Sequence, residues 1–327
     1  MTTKAAPTYT DIVSATCNIR EHIRPTPLLR SRVLDELSGG HVLIKTEILQ
    51  RTGSFKFRGA FNKIRRIADQ STNANIVAWS TGNHAQAVAA AARVCGLSSA
   101  IVMPQDAPKA KVEGTLKQGG EIIFYNREKE NRETIGKRLA KEREAFIVPP
   151  YDDIDVIGGQ GTVGLEAASQ ALMEDMIPDI ALIPCGGGGL IAGCSIPLKT
   201  HFPSIKIHPV EPQGFDDTTR SLAARKRMKN STNASSICDS LLVSTPGKIT
   251  FKINLEHLSD GIVVTDDQVK SAIRFAFQHL KLVVEPGGAV GLAALLTNIA
   301  RYKNRTVLLV LSGGNVDEAI FRRILSE

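Results

Sequence analysis

Residues 179–193 read DIALIPCGGGGLIAG: an apolar, β-rich run, then Gly186, Gly187, Gly188 and Gly189, then a helix-like stretch. Four consecutive glycines lose much conformational entropy on folding and contribute no side-chain packing. They make sense where backbone must come close to a phosphate between a strand and a helix. A flexible linker is the other reading, although a linker has no reason to follow a strand so tightly. No Lys-Ser/Thr pair comes after the glycines, so this is not a Walker loop.

Outward from that stretch the same alternation repeats. NIVAWS, SAIVMP, EIIFY, AFIVPP, IKIHPVEP and TVLLVLSGG also read as strands. HAQAVAAAARVCG, APKAKVEGTLKQGG and RETIGKRLAKERE read as helices, the first two closing on glycine. The pattern predicts an α/β fold of two domains, each a mainly parallel sheet flanked by helices. Residues 54–144 carry βα units of their own and read as a small domain inserted into a large one made of 1–53 and 145–327. Two further loops follow strands, STGNHAQ at 80–86 and LSGGN at 311–315. Ligands of open α/β sheets collect at such strand ends. The first loop starts a helix and suits a carboxylate, though a plain structural turn has the same composition.

In RTGSFKFRGA, residues 51–60, Lys56 sits between Phe55 and Phe57 with glycines close by. A lysine held and partly desolvated for chemistry would have such neighbours, as would one that snorkels past an apolar patch.

Bulk properties narrow the classes. The 327 residues, 43% apolar and 22% charged, allow a sizeable core in one or two domains. A formal charge of +7 raises the question of nucleic acid, but the densest basic run, RSLAARKRMKN, has no interleaved aromatic residue or nucleic-acid motif. It reads as a solvated face. No apolar run reaches the roughly 18 residues of a membrane span, and the N-terminal MTTKAAPTYTD has no signal-peptide core. Cys17, Cys95, Cys185, Cys194 and Cys238 are odd in number and form no CxxC pair. The expectation is a cytoplasmic protein without nucleic-acid or membrane partners.

RPTPLLRS, GSFKFRGA, STGNHAQA, GGQGTVGLE, PCGGGGLIAG, KLVVEPGGAVGLAAL and LSGGN, in this order, resemble the fold-type II (tryptophan synthase β-like) pyridoxal-phosphate enzymes. Within them the chain is similar to the serine/threonine dehydratase (threonine ammonia-lyase) and serine racemase group. The resemblance implies that Lys56 forms the Schiff base with pyridoxal 5'-phosphate, against whose ring Phe55 lies. It also implies that Asn83 meets the ring hydroxyl, Gly186 to Gly189 hold the phosphate, and Ser312 faces the pyridine nitrogen. Ser80, Thr81, Gly82, Asn83 and His84 would embrace the substrate carboxylate. Arg132 matches a family arginine at the entrance, and a plain surface arginine fits its charged helix equally well.

Some positions depart from the racemase pattern. Thr81 stands where racemases carry a serine that acts as acid or base opposite Lys56, and Tyr151 takes an asparagine position. The sequence ends at Glu327, so no C-terminal isoleucine-responsive domain is expected. VEPQGFDDTTR resembles the racemase divalent-cation loop, which implies Glu211, the Phe215 carbonyl and Asp217 as ligands for Mg²⁺, Mn²⁺ or Ca²⁺. The resulting expectation is a homodimeric ammonia-lyase acting on a β-hydroxy amino acid such as L-threonine or L-serine. A serine racemase, a 3-hydroxyaspartate dehydratase and a non-catalytic amino-acid sensor are the alternatives.

Overall fold

The computed structural model describes residues 6–107 and 109–327. Ten strands form two sheets. In chain order they are β1 Leu28–Arg30, β2 His41–Thr46, β3 Asn75–Trp79, β4 Ser98–Pro104, β5 Glu121–Tyr125, β6 Ala145–Ile147, β7 Ile180–Pro184, β8 Lys206–Pro212, β9 Ile262–Val264 and β10 Thr306–Leu311. The larger sheet has the order β1-β2-β10-β7-β8-β9, parallel except for the antiparallel β1–β2 pair. The smaller sheet, β5-β4-β3-β6, is parallel throughout.

The unbroken apolar run of β7 follows from burial on both faces. Ile180 and Leu182 enter one core with Val290 and Leu292 of the helix Pro286–Thr297. Ala181 and Ile183 point the other way, into a core shared with Ala167 and Ile191 of the helices Ile154–Met173 and Gly189–His201. The smaller sheet is built alike. Ile76 and Ala78 of β3 pack with Phe57 and Phe61, while Val77 and Trp79 meet Ile135 and Leu139.

The expected helix over 107–120 spans Lys109–Lys117, and Pro108 lies outside the described residues. β6 pairs with β3, so the smaller sheet runs to Ile147, three residues beyond the boundary at 144 read from the sequence. The proposed inserted unit is extended to include it. β3, β7 and β10 lead directly into residues 80–84, 186–189 and 312–315, which meet in the cleft between the sheets.

Candidate active site

Lys56 opens the helix Lys56–Gln70. Its turn is tied to the end of β10: Phe55 N–H donates to the Ser312 carbonyl at 3.1 Å, and Ser54 bridges Gly313. The Lys56 ammonium donates to the Pro150 carbonyl at 2.7 Å and lies 5.0 Å from the centroid of the Phe55 ring. Burial pushes its pKa down to about 8, against the opposing charge of Glu285. That lysine is held by a hydrogen bond and desolvated beside its phenylalanine neighbour.

Facing it is the glycine loop. Gly188 has φ +89°, in the region that favours glycine, and a Cβ on Gly187 would come within 2.4 Å of the Tyr151 ring. Among the described residues the N–H groups of Gly186, Gly187 and Gly188 donate to no protein acceptor. They precede the N-terminus of Gly189–His201, so unpaired donors and the helix dipole favour an anion at one place.

The third wall starts the helix Asn83–Val94. Gly82 N–H donates to Ser80 Oγ at 3.2 Å. Buried His84 donates from Nε2 to the Val148 carbonyl, 2.9 Å away. Burial, with the Lys56 charge added, lowers the His84 pKa to about 3, so its ring is neutral. The Asn83 amide is gripped from two sides: Nδ2 donates to Glu285 Oε1 at 2.6 Å, and Oδ1 accepts from Asn315 Nδ2 at 2.8 Å. Burial first, and then the charge of Asp239, raise Glu285 to about 7.

These elements enclose a cavity of about 530 Å³. Phe55, Lys56, Ser80, Thr81, Gly82, Asn83, His84, Arg132, Gly186 to Gly189 and Ser312 all line it. Glu285, Asn315 and Tyr151 line it too. Sequence reasoning gave Glu285 and Asn315 no role, although both fall inside quoted motifs, EPGG and LSGGN.

The sequence pattern described as "Pyridoxal-phosphate dependent enzyme" matches residues 19–313. The chain belongs to that family. This pyridoxal-phosphate dependent enzyme is 38% identical to the L-threo-3-hydroxyaspartate ammonia-lyase of Saccharomyces cerevisiae, over 98% of this chain and 97% of that one. It is 36% identical to the L-threonine ammonia-lyase of Thermotoga maritima, over 98% of this chain and 78% of the relative. The solved structure of maize serine racemase superposes with a TM-score of 0.91 at 35% identity, covering 98% of this chain and 97% of the other.

The residues present fit the cofactor. A lysine whose pKa is lowered to about 8, free glycine N–H groups and a buried serine hydroxyl at Ser312 share one cavity.

The expected cation ligands lie apart from that cavity's lining. Among the described residues no group of three or more His, Cys, Asp or Glu side chains could hold a metal, and the expected set has two such side chains and a backbone carbonyl. Glu211 and Asp217 are a buried pair of acids. Glu211 accepts from the N–H groups of Thr218 and Thr219 at 2.9 and 2.7 Å, and Asp217 accepts from Asn230 at 2.6 Å. Burial, then the charge of Asp217, raise Glu211 to about 8; burial raises Asp217 to about 7.

Proposed function

We propose that the chain is an ammonia-lyase converting a β-hydroxy amino acid to a 2-oxo acid and ammonia. The observation that carries this reading is Lys56, whose pKa is lowered to about 8 in a cavity it shares with a row of unpaired backbone N–H groups. Bound pyridoxal phosphate supplies an electron sink at the substrate's Cα. The chain's own residues do the rest. Ser80 to His84 receive the substrate carboxylate at a helix N-terminus, which fixes the orientation of Cα. Lys56 Nζ takes the Cα proton. Ser312 offers the pyridine nitrogen a hydroxyl in place of a carboxylate, which limits how far charge settles on the ring and favours loss of the β-hydroxyl. A sensor reading gives Lys56 no such task.

A base must be deprotonated to act. With Lys56 near 8, kcat should rise with pH and level off above about pH 8. Neutral His84 should add no limb in that range. A pH–rate profile flat between 6 and 9 would remove Lys56 as the titrating base.

A specific observation favours 3-hydroxyaspartate as a second reading. Arg132 lines the cavity and its guanidinium makes no ion pair or hydrogen bond among the described residues, so a second substrate carboxylate would find a cation there. Assaying 2-oxo acid and ammonia over both enantiomers of serine, threonine and the 3-hydroxyaspartates tests the function and separates the two readings. With L-serine, pyruvate should outrun D-serine. Racemisation needs a proton returned from the face opposite Lys56, and Thr81 offers its oxygen from a β-branched, stiff side chain. A misplacement near 1 Å costs about a hundredfold. Thr81→Ser should therefore raise the D-serine share. Faster D-serine than pyruvate from the unaltered chain would transfer the assignment to a racemase.

We also propose a divalent cation at Glu211, the Phe215 carbonyl and Asp217. Support comes from Asp217 Oδ2, which is buried with no hydrogen-bond partner among the described residues, beside a second raised acid. Both pKa values lie above their unfolded values. Without a cation the folded chain therefore holds extra protons, and stability falls as pH rises from about 4 to about 8. A divalent ion replaces those protons, so its stabilisation should grow through pH 7 to 8 and reach roughly 2.7 kcal/mol at a hundredfold excess over Kd. Glu211→Ala should abolish the response. Melting indifferent to both chelator and Mg²⁺ would refute the site.

Cytoplasmic location and a homodimer complete the proposal. Five unpaired cysteines support a reducing compartment, and exposed Val33, Phe277 and Val283 leave apolar surface for a second copy. Among the described residues no helix is long and apolar enough to cross a membrane.

A further inference from the structure

We propose that the helix Lys248–His257 is a polar buttress that orients the phosphate-binding glycine loop, with Thr250 and Asn254 as positioning residues. Both are fully buried and one helical turn apart. Thr250 Oγ1 donates to the Gly187 carbonyl at 2.8 Å, and Gly247 N–H donates to the same oxygen at 3.2 Å. The Gly188 carbonyl accepts from Ala192 N–H at 2.9 Å. These two carbonyls are thus engaged by neighbouring helices, while the N–H groups of the same glycines stay unpaired.

Asn254 stands behind Gly188, its Nδ2 only 2.8 Å from where a Cβ on that glycine would lie. Neither its Oδ1 nor its Nδ2 has a hydrogen-bond partner among the described residues. A buried amide with no bond costs about 1–3 kcal/mol, so an apolar residue would serve better unless the amide finds a partner in the loaded enzyme. The Gly188 carbonyl has a second lone pair to offer it. The buttress is itself anchored: the Asp152 carboxylate accepts from the N–H groups of Lys248, Ile249 and Thr250 at 2.8, 2.7 and 3.2 Å. Asp152 adjoins Tyr151, which packs against Gly187 and Gly189. The loop is therefore held by Tyr151 and by the buttress helix.

This inference rests on the cofactor reading, and the wild type separates the two. A wild-type chain that binds no pyridoxal phosphate would refute the cofactor. Given binding, holoenzymes of Thr250→Val and Asn254→Leu decide on the buttress. Trp79 lines the cavity and is the chain's one tryptophan, so its fluorescence reports cofactor affinity. Each variant should bind pyridoxal phosphate about tenfold more weakly, the scale of one hydrogen bond, and shift the ³¹P resonance of the bound phosphate. Asn254→Asp, equal in size but able to carry negative charge, should lose more than Asn254→Leu. Each variant is read separately, so one that fails to fold leaves the other to decide. Wild-type affinity and an unmoved ³¹P resonance in a folded variant would overturn the role of the residue it replaces.

Discussion

Lys56→Ala should lower turnover by about 10⁴-fold or more, the upper range for losing a positioned acid–base group, because the residue also serves as the covalent anchor. The fold should survive. The Lys56 side chain is only half-buried, and its one hydrogen bond, to Pro150 O, leaves behind a carbonyl. Melting close to wild type alongside lost 2-oxo acid production would therefore isolate chemistry from stability. Retained turnover would move the reaction to another residue.

Arg58→Met should be the most destabilising single change, although Arg58 lies only two residues from Lys56. Its guanidinium is fully buried and donates to both oxygens of Glu47 at 2.8 Å and both oxygens of Glu166 at 3.1 Å. Lys45, also fully buried, donates to Glu166 at 2.6 Å and to Gln170 at 2.7 Å. Two cations balance two anions in this network. Removing one cation leaves an acid uncompensated in the interior, at a cost of about 3–5 kcal/mol. A denaturation midpoint equivalent to a loss below about 1 kcal/mol would show that the network relaxes or admits water.

The network also shows where the sequence stops being legible. Arg58 lies in GSFKFRGA and Glu166 in GGQGTVGLE, yet nothing local says that residues 108 positions apart share an ion pair. The apolar strands β7 and β10 and the three loops after strands were readable because burial on two faces and glycine cost leave local marks. The helix Ile154–Met173 left a weaker one, since Gly158, Gly159, Gly161 and Gly164 reduce its local propensity. Tertiary packing accounts for at least two of those glycines: a Cβ on Gly159 would lie 2.6 Å from the Arg58 carbonyl, and one on Gly164 2.7 Å from Cys194. β6 was placed on the wrong side of a boundary because AFIVPP looks the same in either sheet. Substrate choice is least legible of all: the side chains proposed to set it are Thr81, in the loop before the helix Asn83–Val94, and Arg132, the first residue of the helix Arg132–Glu142, and they share only the lining of one cavity.

Borohydride reduction of the holoenzyme, followed by tryptic peptide mapping, tests the centre of this account most directly. Reduction fixes the cofactor on the lysine it occupies, and a modified Lys56 resists trypsin. The account predicts label on the single peptide TGSFKFR, residues 52–58. Label on another lysine, or on none, would contradict it.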